Sequence, residues 1–155
     1  MDERLRPFLT KVEKPGRYIG GEYNLPDMNK PCNVRFCLCF ADIYEVGMSN
    51  LGIGILYDVL NKTDGVICER CFAPWLDMGK ILKENDLPLA SIETGKPLKE
   101  FDIVGFSVPY EMSYTNILYM MDLAGIPFRA KDRNGDYPLI VGGGPAAANP
   151  EPIID

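Results

Sequence analysis

The stretch VRFCLCFADIYEVGMSNLGIGILYDVL, residues 34–60, joins a short apolar run to a glycine-containing loop and a helical pattern. The apolar run carries one charge and is rich in β-branched, aromatic and cysteine side chains, which predicts a strand buried on both faces. Apolar residues then recur at helical spacing after Ser49, a suitable N-cap, at positions Leu51, Ile55 and Val59. The stretch therefore predicts a strand, a loop and a helix, which form the first half of a βαβ unit.

The rest of the chain continues this alternation. Further strands are predicted at residues 66–73, 89–93, 102–108 and 139–141, and further helices at residues 74–85 and 113–124. Strands that alternate with helices of about a dozen residues are typical of parallel sheets with helices on both faces. We therefore predict an α/β domain with a doubly wound, mostly parallel, five-stranded sheet of the Rossmann-like or flavodoxin-like type.

The sequence divides into three parts. Residues 1–32 contain prolines and glycines without a sustained period, and we predict an irregular N-terminal arm. Residues 33–145 form the predicted α/β domain, and residues 146–155 are interpreted as the start of a linker towards a further domain. A chain of 155 residues with 46% hydrophobic residues is sufficient for one domain with a core.

Composition excludes several classes of function. The net charge of −6 and the lack of a long basic run argue against nucleic acid and anionic membranes as partners. The sequence lacks an apolar stretch of membrane-spanning length, and its start, Met-Asp-Glu-Arg, does not fit a secretory signal, so we expect a cytoplasmic protein. Histidine is absent, so catalysis would have to rest on carboxylates, thiols, tyrosines or a bound cofactor.

The five cysteines favour reduced, buried thiols over a disulfide framework. Cys68 and Cys71 are three residues apart in a predicted strand, so they point to opposite faces and do not readily bind one metal ion. Cys37 and Cys39 share a face, but they lie in the most apolar strand. Packing is the better interpretation for both pairs, and we predict neither a metal-binding nor a catalytic residue in this chain.

A ligand-binding cleft is predicted at one edge of the sheet. Open α/β sheets bind ligands outside the carboxyl ends of their strands, at the point where the strand order switches. Loops 41–48, 107–112 and 142–148 share this predicted edge. Their glycines and serines allow backbone amides to approach a ligand, and the helix start at Ser49 suits an anionic group. The alternative is that these loops are only tight turns.

Ten residues of these loops are candidates for cofactor binding. The carboxylates Asp42 and Glu111 lie near strand ends, and tyrosines could form a wall beside them. The spacing Gly47-x-Ser49-x-x-Gly52 is similar to a dinucleotide fingerprint, but Phe72 stands where a carboxylate is needed, so a dinucleotide is disfavoured. The candidates are Asp42, Tyr44, Gly47, Ser49, Ser107, Tyr110, Glu111, Gly142, Gly143 and Gly144.

Six strings carry a resemblance to a known family. They are KPGRYIGGEYN at 14–24, DIYEVGMS at 42–49, FAPW at 72–75, YEMSYTNIL at 110–118, GGGP at 142–145 and NPEP at 149–152. With these strings the chain resembles the N-terminal, cobalamin-binding-like domain of a family of radical S-adenosylmethionine (SAM) proteins. The resemblance covers essentially the whole chain.

The wider cobalamin-binding family carries Asp-x-His-x-x-Gly after its first strand, Ser-x-Leu after a later strand and Gly-Gly near its last strand. The equivalent positions here are Asp42, Gly47, Ser107, Gly142 and Gly143. Tyr44 stands in place of the histidine that supplies the lower axial cobalt ligand, and a phenol with a pKa of about 10 is a poor substitute. Pro109 replaces the leucine. The resemblance therefore implies either cobalamin bound without a histidine ligand or a pocket that has lost cobalamin.

The resemblance also implies a downstream barrel domain whose Cys-x-x-x-Cys-x-x-Cys motif holds a [4Fe–4S] cluster and cleaves SAM. That motif is absent from these 155 residues, so we expect the cluster, SAM and turnover to belong to the downstream domain. This domain is then an accessory partner of that barrel, with a cleft that binds cobalamin or positions a small-molecule substrate. The alternative is a degenerate α/β domain with a structural or docking role, and a flavin-binding role is more distant.

Overall fold

The structure, a computed structural model, describes residues 2–23 and 25–154. Within them, the strands are β1 (Val34–Phe40), β2 (Val66–Phe72), β3 (Ile103–Ser107) and β4 (Leu139–Gly143). The α-helices are α1 (Tyr44–Met48), α2 (Leu51–Lys62), α3 (Leu76–Glu84) and α4 (Ser113–Ala124). Short 3₁₀ helices lie at Glu3–Lys11, Pro15–Arg17, Leu98–Glu100, Ala130–Asp132 and Pro145–Ala148. Three residues lie outside the described ones. They are Met1, the first residue of the predicted arm; Asn24, the last residue of the string KPGRYIGGEYN; and Asp155, the last residue of the predicted linker.

The strands form one parallel sheet in the order β2-β1-β3-β4. Cys37 and Cys39 of β1 face a core with α3 and α4, whereas Leu38 and Phe40 face a second core with α2. Helices therefore cover both faces, and the predicted parallel α/β architecture is confirmed. The chain runs from β1 to β2 on one side and then crosses to β3 on the other, which places the switch point between β1 and β3.

The prediction of a fifth strand at residues 89–93 is wrong, because the sheet of the described chain has four strands. This segment forms only an isolated bridge between Ala90 and Pro97. It lies along the outer edge of β2, where Ile92 donates its backbone N–H to the Arg70 carbonyl at 2.9 Å. The backbone N–H of Arg70 is bound instead by the Glu93 carboxylate at 2.7 Å. The Glu93 carboxylate thus accepts the hydrogen bond that a backbone carbonyl would accept in a regular strand pair.

The residues whose spacing predicts α2 do not form its buried face. Ile53 is 2% exposed and Tyr57 is 9% exposed, whereas Leu51 and Ile55 are 77% and 54% exposed. The N-cap is Asn50, whose side chain accepts from the backbone N–H of Ile53 at 3.1 Å. Apolar residues occur on nearly every side of α2, so their spacing alone could not indicate which side faces the sheet.

Most of the predicted loop 41–48 is the short helix α1. Ser49 is the C-cap of α1 rather than the N-cap of α2, and its hydroxyl donates to the Val46 carbonyl at 2.9 Å. The loop proper between β1 and α1 is therefore only three residues long, residues 41–43.

The N-terminal arm packs on the domain. Val12 is buried, and the backbone N–H of Glu13 donates to Asp77 of α3 at 2.7 Å. Arg17 pairs with Glu45 of α1 at 2.8 Å. The arm thus fixes the start of α1 and α3 instead of lying free, although its own structure is limited to 3₁₀ turns.

The prediction of buried thiols is confirmed for four of the five cysteines, whereas Cys32 is only half-buried. Cys71 joins Cys37 and Cys39 in the core with α3 and α4, whereas Cys68 lies in the core with α2. All four thiols are buried, and their positions on both faces of the sheet fit a packing role. Among the described residues, no helix is both long enough and apolar enough to span a bilayer.

Candidate functional site

The loops after β1 and β3 meet at the carboxyl edge of the sheet. The Tyr110 hydroxyl donates to Asp42 Oδ2 at 2.8 Å, and Asp42 Oδ1 accepts from the backbone N–H of Ile43 at 2.7 Å. The hydrogen bond to Asp42, followed by burial, raises the pKa of Tyr110, so the phenol is protonated at neutral pH. Tyr110 is 41% exposed and can contact a ligand. This pair lies at the switch point, where open α/β sheets bind ligands.

Helix α4 anchors both loops. The side-chain amide of Asn116 donates to the Ala41 carbonyl at 2.9 Å, which ties the loop after β1 to α4. The Ser113 hydroxyl donates to the Tyr110 carbonyl and ties the loop after β3 to the same helix. Sequence reasoning did not select Asn116 or Ser113, although a polar amide inside a largely apolar helix was an available signal.

The glycine loop after β4 joins the same edge. Ser107 and Gly143 are paired in register, and the backbone N–H of Val108 donates to the Gly143 carbonyl at 2.7 Å. A Cβ at Gly143 would meet nothing within 4 Å, and one at Gly142 would meet only a Val108 methyl group at 3.8 Å. A ligand can therefore approach this backbone closely.

Gly144 has a different role. Its φ is +118°, and an added Cβ would lie 2.8 Å from the Val108 carbonyl oxygen. The close contact between the loops after β3 and β4 therefore requires glycine here, whether or not a ligand binds. The next residues are fixed by Tyr114, whose hydroxyl lies 3.0 Å from the Ala146 carbonyl and 2.8 Å from the Asn149 carbonyl and donates to them.

Other predicted site residues lie on the β2 side of this edge or in solvent. The Tyr44 hydroxyl donates to Glu22 of the arm at 3.2 Å, and its ring packs edge-on against Phe72 with centroids 5.5 Å apart. Gly47 packs so closely on Phe72 that a Cβ would lie 2.3 Å from that ring. Ser49 caps α1, as described above, and Glu111 is exposed. The structure thus brings Asp42 into contact with Tyr110 and pairs Ser107 with Gly143 at the same edge of the sheet. Tyr44, Gly47, Ser49 and Glu111 belong to neither pair.

Sequence reasoning missed a buried ionic cluster beside Tyr44. Arg70 of β2 pairs with Glu93 at 2.7 Å and lies 3.6 Å from Glu22, and its guanidinium stacks 4.2 Å from the centre of the Tyr57 ring. Burial raises the pKa of Glu93, although the charge of Arg70 opposes this shift. The signal was two opposite charges side by side in an otherwise apolar strand.

The neighbouring Glu69 is fully buried and fully bonded. It accepts from the hydroxyls of Ser91 and Thr94, each at 2.6 Å, and pairs with Arg35 at 3.2 Å. Both β2 charges therefore hold the segment after α3 against the edge of the sheet. Their partners identify a structural role, since buried charges are tolerated where they are paired.

The residues present do not fit a cobalamin ligated through position 44. Burial raises the pKa of Tyr44, so its phenol is protonated, and the hydroxyl is already bonded to Glu22 on the β2 side. The open backbone at Gly142 and Gly143 does fit close approach by a bulky ligand. Any cobalamin at this edge would thus take no axial ligand from Tyr44.

These features define a class of protein: a parallel α/β domain with helices on both faces and a loop-built edge at its switch point. The chain belongs to the family described as radical SAM proteins, N-terminal, which matches residues 52–155, more than half of the chain. The predicted resemblance to the N-terminal domain of radical SAM proteins is confirmed. The family implies a downstream radical SAM domain in the same polypeptide. Comparison with curated proteins and with solved structures gave no match.

Proposed function

We propose that this chain is the accessory domain of a radical SAM protein and that its carboxyl edge positions a small molecule for the downstream domain. The observation that carries the proposal is the hydrogen bond from Tyr110 to Asp42 across the switch point. The strand order β2-β1-β3-β4 is the order found in flavodoxin-like sheets, whose ligands lie at this point. Family membership supports the accessory role.

The proposed ligand is cobalamin held without a protein axial ligand, or the part of a substrate that faces the downstream domain. Asp42 would accept hydrogen bonds from ligand amides or hydroxyls, while Tyr110 orients the carboxylate. Gly142 and Gly143 would allow ligand atoms to reach the backbone, and Ser107 beside them would add a hydroxyl. The [4Fe–4S] cluster and SAM belong, in this proposal, to the downstream domain.

Titration of the full-length protein with hydroxocobalamin tests this function, with the visible spectrum as the readout. We expect saturable binding that is weakened on the order of tenfold by Asp42→Asn and by Tyr110→Phe, because each removes part of the bridge. Tyr23→Phe is the matched control, since Tyr23 is 94% exposed and remote from the bridge in sequence. Tyr44→Phe should leave the spectrum of the bound corrinoid unchanged.

A structural or docking role is the second candidate. Gly47 and Gly144 are both explained by close packing, and the Asp42–Tyr110 bridge satisfies its own polar groups without a ligand. Absence of corrinoid binding at high micromolar concentration would favour this candidate. If Asp42→Asn and Tyr110→Phe leave hydroxocobalamin binding unchanged, the ligand does not bind at the switch point.

A further inference from the structure

The two edges of the sheet differ in how they are covered. The segment after α3 lies along β2, where Ile92 donates to the Arg70 carbonyl and Glu93 accepts from the Arg70 N–H. Glu69 fixes this segment through Ser91 and Thr94. These contacts block the β2 edge against pairing with another strand, which is how natural sheets protect an edge.

On the opposite edge, β4 pairs with no further strand among the described residues, and residues 150, 153 and 154 line a cavity beside it. The backbone N–H of Leu139 donates to the Asp102 carbonyl at 2.9 Å, and the Gly143 carbonyl accepts from Val108 at 2.7 Å. Residues 139, 141 and 143 therefore direct their backbone groups towards β3. The backbone groups of successive residues in a parallel strand point alternately to the two neighbouring sides. The N–H and carbonyl groups of Ile140 and Gly142 therefore point to the outer edge.

Apolar side chains lie next to this open edge. Leu139 is 62% exposed and Val141 is 37% exposed, on the face of the sheet where α2 packs mainly against β2. A Cβ at Gly105 would lie 2.5 Å from the Phe36 ring and 3.4 Å from a Val141 methyl group, so these side chains form a continuous apolar floor over β3. A sheet face of this kind is normally covered in parallel α/β domains.

Helix α2 borders the uncovered half of that face. Tyr57 stacks on Arg70, and Asn61 donates to the Cys68 carbonyl at 3.0 Å, so this side of α2 faces β2. Leu56 and Val59 lie on the other side of the helix, with exposures of 48% and 54%. We call the backbone edge of Leu139–Gly143, with the side chains of Leu139 and Val141, the β4 surface.

We propose that the β4 surface is the docking site for the downstream part of the same polypeptide, which adds a parallel strand to β4 and covers Leu139 and Val141. This inference goes beyond ligand positioning and does not depend on it. The family identifies the occupant, because its members are N-terminal domains of radical SAM proteins. A parallel fifth strand would pair with the free backbone groups of Ile140 and Gly142.

The course of the chain after β4 supports this occupant. Residues 145–149 are held by Tyr114, and Ile154 then lines cavities with Phe128 and Ala130. The first of these cavities is also lined by Ile140 and Gly142, so Ile154 lies near β4 itself. A following segment can therefore reach β4 without a long connection.

Hydrogen exchange in the full-length protein tests the proposal. We compare a peptide covering residues 139–143 in the full-length protein and in the 155-residue chain. The amides of Ile140 and Gly142 should exchange on the order of 100-fold more slowly in the full-length protein, because they gain strand partners. Equal, unprotected exchange in both proteins would overturn the proposal, and this comparison needs no substitution.

A matched pair of variants locates the contact. Leu139→Asp in the full-length protein should reduce that protection on the order of tenfold, while Leu76→Asp, at a residue 72% exposed on α3, should leave it unchanged. Unaltered exchange of Ile103–Ser107 reports that the variants are folded. Protection that rises with protein concentration, together with a dimer in sedimentation, would identify a second copy as the occupant and contradict the proposal.

Discussion

Two adjacent glycines at the end of β4 show how one residue type serves two purposes. Gly144 needs its positive φ and touches the backbone of Val108, whereas Gly143 faces open space. The sequence predicted both as cofactor-binding residues, because glycine in a loop at a strand end indicates either backbone approach or backbone geometry. Only the φ angle and the neighbouring atoms distinguish these two causes.

Gly144→Ala should lower the free energy of unfolding by about 1–3 kcal/mol, through the positive φ and the overlap with the Val108 carbonyl. Gly143→Ala is the control and should change it by no more than about 0.5 kcal/mol. Urea unfolding of both variants measures the difference. Equal effects would show that the loop does not require this backbone geometry at Gly144.

The thiols of β1 should make stability depend on alkaline pH. Burial raises the pKa of Cys37 to about 11 and that of Cys39 well above its ordinary value of 9.0. Above about pH 9 the unfolded chain therefore binds fewer protons than the folded chain, and the free energy of unfolding falls as the pH rises. The slope is at most about 1.4 kcal/mol per pH unit for each thiol.

Urea unfolding between about pH 7 and pH 11 measures this dependence. Cys37→Ala should show a shallower fall above about pH 9 than the native chain, because one of the raised pKa values is removed. A free energy of unfolding with the same slope in both proteins would exclude Cys37 as a contributor.

At the scale of elements, α2 shows where spacing fails as a predictor. The helix was predicted, but its buried side was not, because apolar residues occupy both its sheet side and its solvent side. The buried side follows from contacts distant in sequence, such as Tyr57 with Arg70. The same limit explains the wrong strand at residues 89–93, since the pairing of Glu93 with Arg70 depends on the folded edge of β2.

Substitutions on opposite sides of α2 test this orientation. Ile53→Ala should lower the free energy of unfolding by about 2–4 kcal/mol, because Ile53 is 2% exposed. Ile55→Ala, at a residue 54% exposed, should lower it by no more than about 0.5 kcal/mol. The reverse order in thermal or urea unfolding would contradict this orientation of α2.

At the scale of the whole molecule, the alternation of strands and helices was sufficient to predict a parallel α/β domain. It also predicted that the loops after β1, β3 and β4 share one edge, where Asp42 meets Tyr110 and Ser107 pairs with Gly143. It could not predict that Tyr44 turns to the β2 side. That position depends on Glu22 of the arm, and the arm has no periodic pattern from which its path could be derived.

The most direct test of the proposed function is whether a bulky ligand binds over Gly143. Gly143→Leu fills that space, and Gly135→Leu is the matched control, because a Cβ at Gly135 also meets nothing within 4 Å. In hydroxocobalamin titrations of the full-length protein, we predict that Gly143→Leu weakens binding on the order of tenfold or more, while Gly135→Leu binds like the native protein. Equal binding by both variants, or no binding by the native protein at high micromolar concentration, would contradict a cobalamin site at this edge.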